Sequence, residues 1–228
     1  MRKELLVSIL ILCSAAAFAQ PSRQTMAVLG DSYSTFEGYI PEGYAIWYYN
    51  AGRDGNDVSA VEQTWWWQVA ESLDMDIVLN SSYSGSTICH TGYDGKDYKD
   101  RSFVTRAQDV IEAAPDVLFI FGGTNDSWAD SPLGEVKYAG RTEEDLYCFL
   151  PAFCQLLETL TKALPRTRIV NICNTELKPE IAGGENVISY HYGVDCVQLY
   201  NIDKQSGHPS VTGMSQIASQ VLEKFRGR

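Results

Sequence analysis

The stretch VLGDSYSTFEG, residues 28–38, decides how this chain is read. Four apolar residues, Met26, Ala27, Val28 and Leu29, run straight into Gly30-Asp31-Ser32. A strand covered on both faces has this continuous apolar character. The abrupt polar stop then leaves a serine at the strand's carboxyl end. Two readings are open: a plain strand-to-loop turn, or a nucleophile held at the edge of a sheet.

The rest of the chain repeats the pattern. Short apolar runs at 25–29, 76–79, 117–121, 168–173 and 194–199 predict strands. Helical patterns lie between them at 61–73, 103–113 and 143–164, with a last helix at about 211–225. In that last helix Val211, Met214, Ile217, Ala218, Val221, Leu222 and Phe225 form one apolar stripe, and Ser210 can cap its start. Pro151 falls inside the 143–164 pattern and predicts a kink or a second helix start. Strands alternating with helices predict an α/β fold: a three-layer α/β/α sandwich around a mainly parallel sheet of about five strands. Such sheets bind ligands at the strands' carboxyl ends. The segments 30–32, 81–85, 122–126 and 201–209, all polar and each containing glycine, fall at that edge.

Bulk properties narrow the function classes. The chain has 228 residues and a net charge of −11. Residues 1–19 carry Arg2 and Lys3, a short apolar run and the small-residue end Ala17-Phe18-Ala19. That layout predicts a secretory signal peptide cleaved near Ala19, and a secreted or periplasmic protein. Its apolar run is too short for a membrane span. Residues 20–228 then read as a single domain. Acidity without a basic run excludes nucleic acid as an expected partner. Five cysteines follow residue 19 without any C-x-x-C spacing, so no metal site is expected. Cys173 and Cys196 read as buried thiols.

Acyl transfer needs a nucleophile, a base and donors for an oxyanion. Ser32 supplies a hydroxyl, and its own N–H is one donor. His208, in a tight Ser206-Gly207-His208-Pro209 loop, supplies a base. Asn125 follows the third strand, and Gly85 lets a backbone N–H approach a substrate closely. Each signal alone is weak; four in order are not. At these positions the sequence resembles the SGNH hydrolases, also called GDSL esterases or lipases. The matching blocks are Gly30-Asp31-Ser32-Tyr33-Ser34, the Asn80–Thr87 segment with Gly85, Gly123-Thr124-Asn125-Asp126, and His208-Pro209-Ser210-Val211-Thr212-Gly213.

The resemblance implies a flavodoxin-like three-layer fold. It also implies Ser32 as nucleophile, His208 as base, and Ser32, Gly85 and Asn125 as oxyanion donors. The implied substrate is a small-molecule or glycan ester, hydrolysed without a cofactor. An O-acetyl group on a carbohydrate is the expected ester. A non-catalytic carbohydrate-binding protein and a lipid acylhydrolase are the alternatives on the same fold. One position departs from the family: Gln205 stands three residues before His208, where an aspartate is usual. Either Asp203 reaches His208 across a loop two residues longer, or a backbone carbonyl or Gln205 orients the ring of a Ser-His dyad. Asp203 is the expected acid.

Other features have bland and functional readings. Trp65-Trp66-Trp67 spans too wide an arc for one core stripe, so at least one ring should reach the margin. The aromatic segment 36–57 either roofs the site or packs over the sheet edge. His90 and His191 are expected in ordinary polar roles, residues 93–97 in a surface turn, and Asp31 and Asp126 in pinning loops.

Overall fold

The structure, a computed structural model, describes residues 23–227. The signal-peptide expectation falls on residues outside that range. Five strands form one sheet: β1 (Thr25–Gly30), β2 (Asp76–Ser82), β3 (Val117–Gly122), β4 (Arg168–Cys173) and β5 (Asp195–Gln198). Their order is β2-β1-β3-β4-β5, and every pairing is parallel. Connections leave β1 toward one side and β3 toward the other. The carboxyl ends of β1 and β3 therefore flank the topological switch point, where such sheets hold ligands.

Period-two alternation sorts the strand residues between two cores. Met26, Val28, Phe119 and Phe121 face one layer, made by α1 (Trp65–Leu73) and α6 (Val211–Arg226). Ala27, Leu29, Leu118 and Ile120 face the other, made by α2 (Phe103–Ala113), α4 (Phe149–Ala163) and α5 (Pro179–His191). A short helix, α3 (Thr124–Trp128), follows β3, and a small antiparallel ladder of β6 (Lys204–Gln205) and β7 (His208–Pro209) precedes α6. Trp65 and Trp66 are buried while Trp67 is half-buried, which answers the wide-arc problem of three consecutive indoles.

Where the expected helices differ, the reasons are local. The 143–164 pattern is a 3-10 turn at Glu144–Tyr147 followed by α4. Pro151 sits in the first turn of α4, where its missing N–H has no intrahelical partner to lose. Helix α5 has no counterpart among the sequence expectations. Gly183 and Gly184 lower its propensity, yet Gly184 has a packing reason: a Cβ there would run into Leu150 of α4. Buried Ile181 and Ile188 complete its contact with the core. The five described cysteines are free, with the Cys173 and Cys196 sulfurs 3.1 Å apart on adjacent strands.

Helix α6 is capped as expected, with the Ser210 hydroxyl accepting from the Gly213 N–H at 3.1 Å. Gly213 is where this helix presses on the preceding loop, because an added Cβ would collide with the Asp203 carbonyl oxygen. Gly213→Ala is expected to destabilise the fold by about 1–3 kcal/mol, read as a lower urea midpoint with an unchanged slope.

Candidate active site

Strand β1 ends at Gly30, and the chain turns at once into a 3-10 turn over Ser32–Ser34. Asp31 caps that turn, accepting from the Tyr33 N–H at 3.0 Å. Gly30 has no room for a side chain, because a Cβ would meet Ser82 and Ser34. Ser32 is thereby presented at the sheet edge, 4% exposed. From the other end of the chain, the β6–β7 turn brings His208 against it. The distance from Ser32 Oγ to His208 Nε2 is 2.9 Å.

The second ring nitrogen fixes the tautomer. His208 Nδ1 lies 3.3 Å from the Ser206 carbonyl. A carbonyl only accepts, so Nδ1 carries the hydrogen, and the Nε2 lone pair faces the Ser32 hydroxyl. The ring also lies among aromatics. Trp47 stacks on it at 3.4 Å and 9°, and Tyr33 and Trp128 have centroids 5.1 and 6.0 Å away. Burial pushes the His208 pKa down to about 4, and the nearby Arg53 and Lys204 charges push the same way.

Asp203 does not fill the expected place. It is exposed, and its carboxylate accepts the Ser210 hydroxyl, with no hydrogen bond or ion pair to His208. Because Ser210 caps α6, the carboxylate anchors the helix N-terminus, where negative charge is favourable. Gln205 is also occupied elsewhere: its side chain donates to Asp57 Oδ2 at 3.2 Å and accepts from the Asp57 N–H at 2.9 Å. Of the alternatives for orienting the ring, the backbone carbonyl is the one in contact.

In the loop that follows β2, Gly85 has φ +83°, a conformation that favours glycine, and open space where a side chain would be. Neither its N–H nor that of Ser32 donates to an acceptor among the described residues. Asn125 Nδ2 donates to the Ser86 carbonyl at 2.9 Å and, over a long 3.5 Å, to Asp31 Oδ2. Tyr93 donates to Asn125 Oδ1 at 2.7 Å. With a carbonyl on one side and a phenol hydrogen on the other, the amide has one satisfied orientation.

Arg106 had no sequence signal. Arg106 of α2 is buried and bonds the Gly30 carbonyl at 3.0 Å, Ser86 Oγ at 2.9 Å and the Ser81 carbonyl, tying the ends of β1 and β2 together. Asp126 is buried, and its carboxylate holds the Ile88 and Cys89 amides at 2.8 and 3.2 Å. Burial raises Asp31 to about 7 and Asp126 to about 6. Both aspartates fasten loops, as expected. His90 is buried against Ser102 Oγ at 2.9 Å, and His191 stacks on Tyr138, so both histidines have ordinary roles. Residues 93–97 are more than a surface turn, since Tyr93 touches Asn125. Among the described residues no cluster of His, Cys, Asp or Glu could hold a metal ion, and no helix is long and apolar enough to cross a membrane.

Because the Asp203 carboxylate meets Ser210 rather than the imidazole, Asp203→Asn is expected to lower thermal stability by about 1 kcal/mol, the worth of a helix cap. Ester turnover should stay within about tenfold of the unmodified protein. A loss near 10⁴-fold, as for an orienting acid, would return Asp203 to that role.

Comparisons with known proteins bear on the family and the fold. A Bacteroides ovatus protein of known crystal structure, described as a putative GDSL-like lipase, is 47% identical; the match covers 91% of this chain and 100% of that one, with a TM-score of 0.88. A counterpart from Bacteroides uniformis is 46% identical over 91% and 98% of the two chains, also at 0.88. A carbohydrate acetylesterase from Sinorhizobium meliloti, 16% identical over 90% and 99%, shares the fold with a TM-score of 0.61. A search of curated proteins gives no match. The GDSL-like lipase/acylhydrolase family profile spans residues 24–225, and the chain belongs to that family.

Proposed function

We propose that this chain is a secreted serine esterase that removes small acyl groups, acetyl above all, from carbohydrate hydroxyls. The observation that carries the chemistry is the 2.9 Å contact between Ser32 Oγ and an unprotonated His208 Nε2. The Ser32 and Gly85 N–H groups have no acceptor among the described residues, and Asn125 Nδ2 spends one hydrogen on only a long 3.5 Å bond to Asp31, the neighbour of Ser32. In the proposed reaction His208 takes the Ser32 proton as Oγ attacks the ester carbonyl. The developing oxyanion is received by the N–H groups of Ser32 and Gly85 and by Asn125 Nδ2. His208 then protonates the leaving alcohol. Water, deprotonated by the same nitrogen, frees the acyl group from Ser32.

Support for a sugar alcohol comes from the rim. Trp128 is 40% exposed and lies beside His208, so a flat ring borders the slot in which Ser32 and His208 are nearly covered. Indole faces suit the C–H faces of pyranose rings. Export rests on the pattern of residues 1–19 alone.

Ser32→Ala is expected to lower kcat on an aryl acetate by about 10⁴-fold or more, and Asn125→Ala by about 10²–10³-fold. Acetate release from an acetylated oligosaccharide should exceed release of longer acyl chains from matched esters. A folded protein that resists a fluorophosphonate probe would instead be a binding module.

The pH profile gives a separate check. A base must be neutral to act, so the acidic limb of kcat/KM follows the free-enzyme histidine pKa. With His208 held down to about 4, that limb is expected near pH 4, well below the ordinary imidazole value of about 6.5. Arg53→Gln removes a cation that disfavours the imidazolium, and should move the limb upward. A limb at pH 6–7 in the unmodified enzyme would contradict the burial of this histidine.

A further inference from the structure

An imidazole that swings out of line cannot take a proton from Ser32, and here no carboxylate restrains it. Among the described residues, its one hydrogen bond besides Ser32 is the 3.3 Å contact to Ser206, two residues away in the same turn. That bond is longer than the usual 2.9–3.0 Å. The turn itself contains Ser206 at φ +50° and Gly207 at φ +75°. One long bond fixes one direction and leaves rotation about it open.

The face of the ring is restrained more tightly. Trp47 lies parallel to it, 3.4 Å away. The Arg53 guanidinium carbon sits 3.7 Å from the centre of the same indole. The imidazole already fills one side, so Arg53 occupies the other. Arg53 also donates to the Trp47 carbonyl at 3.3 Å and makes no ion pair within the described residues. Trp47 is anchored along its backbone as well. Its N–H donates to Thr35 Oγ1 at 2.9 Å, and that hydroxyl donates to the Ser32 carbonyl at 3.1 Å. The indole is thus joined to the nucleophile's turn through Thr35 and to the histidine by stacking.

The geometry points to Trp47 as a positioning residue, an indole backed by Arg53 that holds the His208 ring in the plane facing Ser32, where a triad would use a carboxylate. This rests on the esterase reading above. It assigns a role in the chemistry to the aromatic segment 36–57, whose sequence shows only abundant rings. It also predicts that the flat face of residue 47 matters more than its bulk or its indole N–H.

The test compares Trp47→Phe with Trp47→Leu on a small aryl acetate, which has no sugar to contact a rim residue. For Trp47→Leu, kcat is expected to fall by about 10²-fold, the scale of a misplaced catalytic group. KM should stay within a few-fold, and labelling by a fluorophosphonate should slow in parallel. Trp47→Phe, which keeps a face, should recover most of the rate. In a His208→Ala background Trp47→Leu should cost nothing further, because Trp47 acts through the imidazole. Imidazole ¹⁵N spectra should show the Nδ1–H tautomer in Trp47→Phe and a mixture in Trp47→Leu.

The inference is overturned if Trp47→Leu keeps its kcat, if it changes KM alone, or if its cost persists without His208. Equal losses in both variants alongside equal falls in melting temperature would also overturn it, marking Trp47 as structural. Should Trp47→Leu not fold, Arg53→Ala carries the test by removing only the backing of the indole. A several-fold fall in kcat supports the inference, and an unchanged kcat overturns it. If His208→Ala itself retains full activity, the esterase reading fails first. If His208→Ala is inactive while Trp47→Leu is normal, only the role of Trp47 fails.

Discussion

The Ser32–His208 contact joins residues 176 positions apart, and the carboxyl edge of the sheet is organised around keeping it. A two-residue ladder cannot hold a histidine to within a fraction of an ångström. The turn that carries it is therefore clamped from outside. Tyr33 donates to the Gly207 carbonyl at 2.8 Å, and Tyr48 to the Pro209 carbonyl at 2.9 Å. Asn56 Nδ2 reaches the carbonyls of Gln205, His208 and Pro209 at 3.2, 3.4 and 3.1 Å. Backbone carbonyls near a sheet's end would otherwise need water. Here side chains of the Ser32 turn and the 36–57 segment satisfy them, tying the Ser32 and His208 loops together.

Buried polarity on the other side of Ser32 does comparable work. Arg106, Asp31 and Asp126 lie almost wholly out of water. Desolvation disfavours each of their charged forms, which is why Arg106 is pushed down to about 10 while the two aspartates are pushed up. Such groups are weak contributors to stability, but each spans two elements that must keep register. Glu185 is a further case. Burial raises it to about 8, it accepts from Asn171 of β4, and it stands where a Gly123 side chain would go. Gly123 is the residue from which α3 carries Asn125 into the site. The carboxyl edge of the sheet is thus supported by polar contacts that a purely hydrophobic core could not aim.

Legibility in the sequence followed the range of the interaction. Strand positions were readable because burial on both faces forces a continuous apolar run, and all five strands appear where expected, though β2 runs three residues further, through Asn80-Ser81-Ser82, where the apolar run has already stopped. The amphipathic helices α2 and α6 were readable for the matching reason at period 3.6. Helix α5 was not. Its interior glycines and weak stripe give no local signal, and its stability comes from packing on α4 and β4. Ser32, Gly85, Asn125 and His208 stood out as short blocks at strand ends. Arg106, Tyr93, Trp47 and Asn56 did not, because these partners lie 25 to 161 positions away and their residue types are common in cores and loops.

The orienting group of His208 marks the boundary between the two kinds of information. By itself the sequence determined the layered parallel α/β fold, the edge at which chemistry sits, and four blocks that mark a GDSL-like chain. These depend on period, capping and turn chemistry, which are local. What only the tertiary structure decided is that Asp203 serves the α6 cap, that Gln205 serves Asp57, and that the imidazole rests between a backbone carbonyl and an indole. Spacing along the chain counts residues. A hydrogen bond depends on direction, and the positive-φ turn at Ser206-Gly207 aims the ring at a carbonyl and away from the nearest carboxylate.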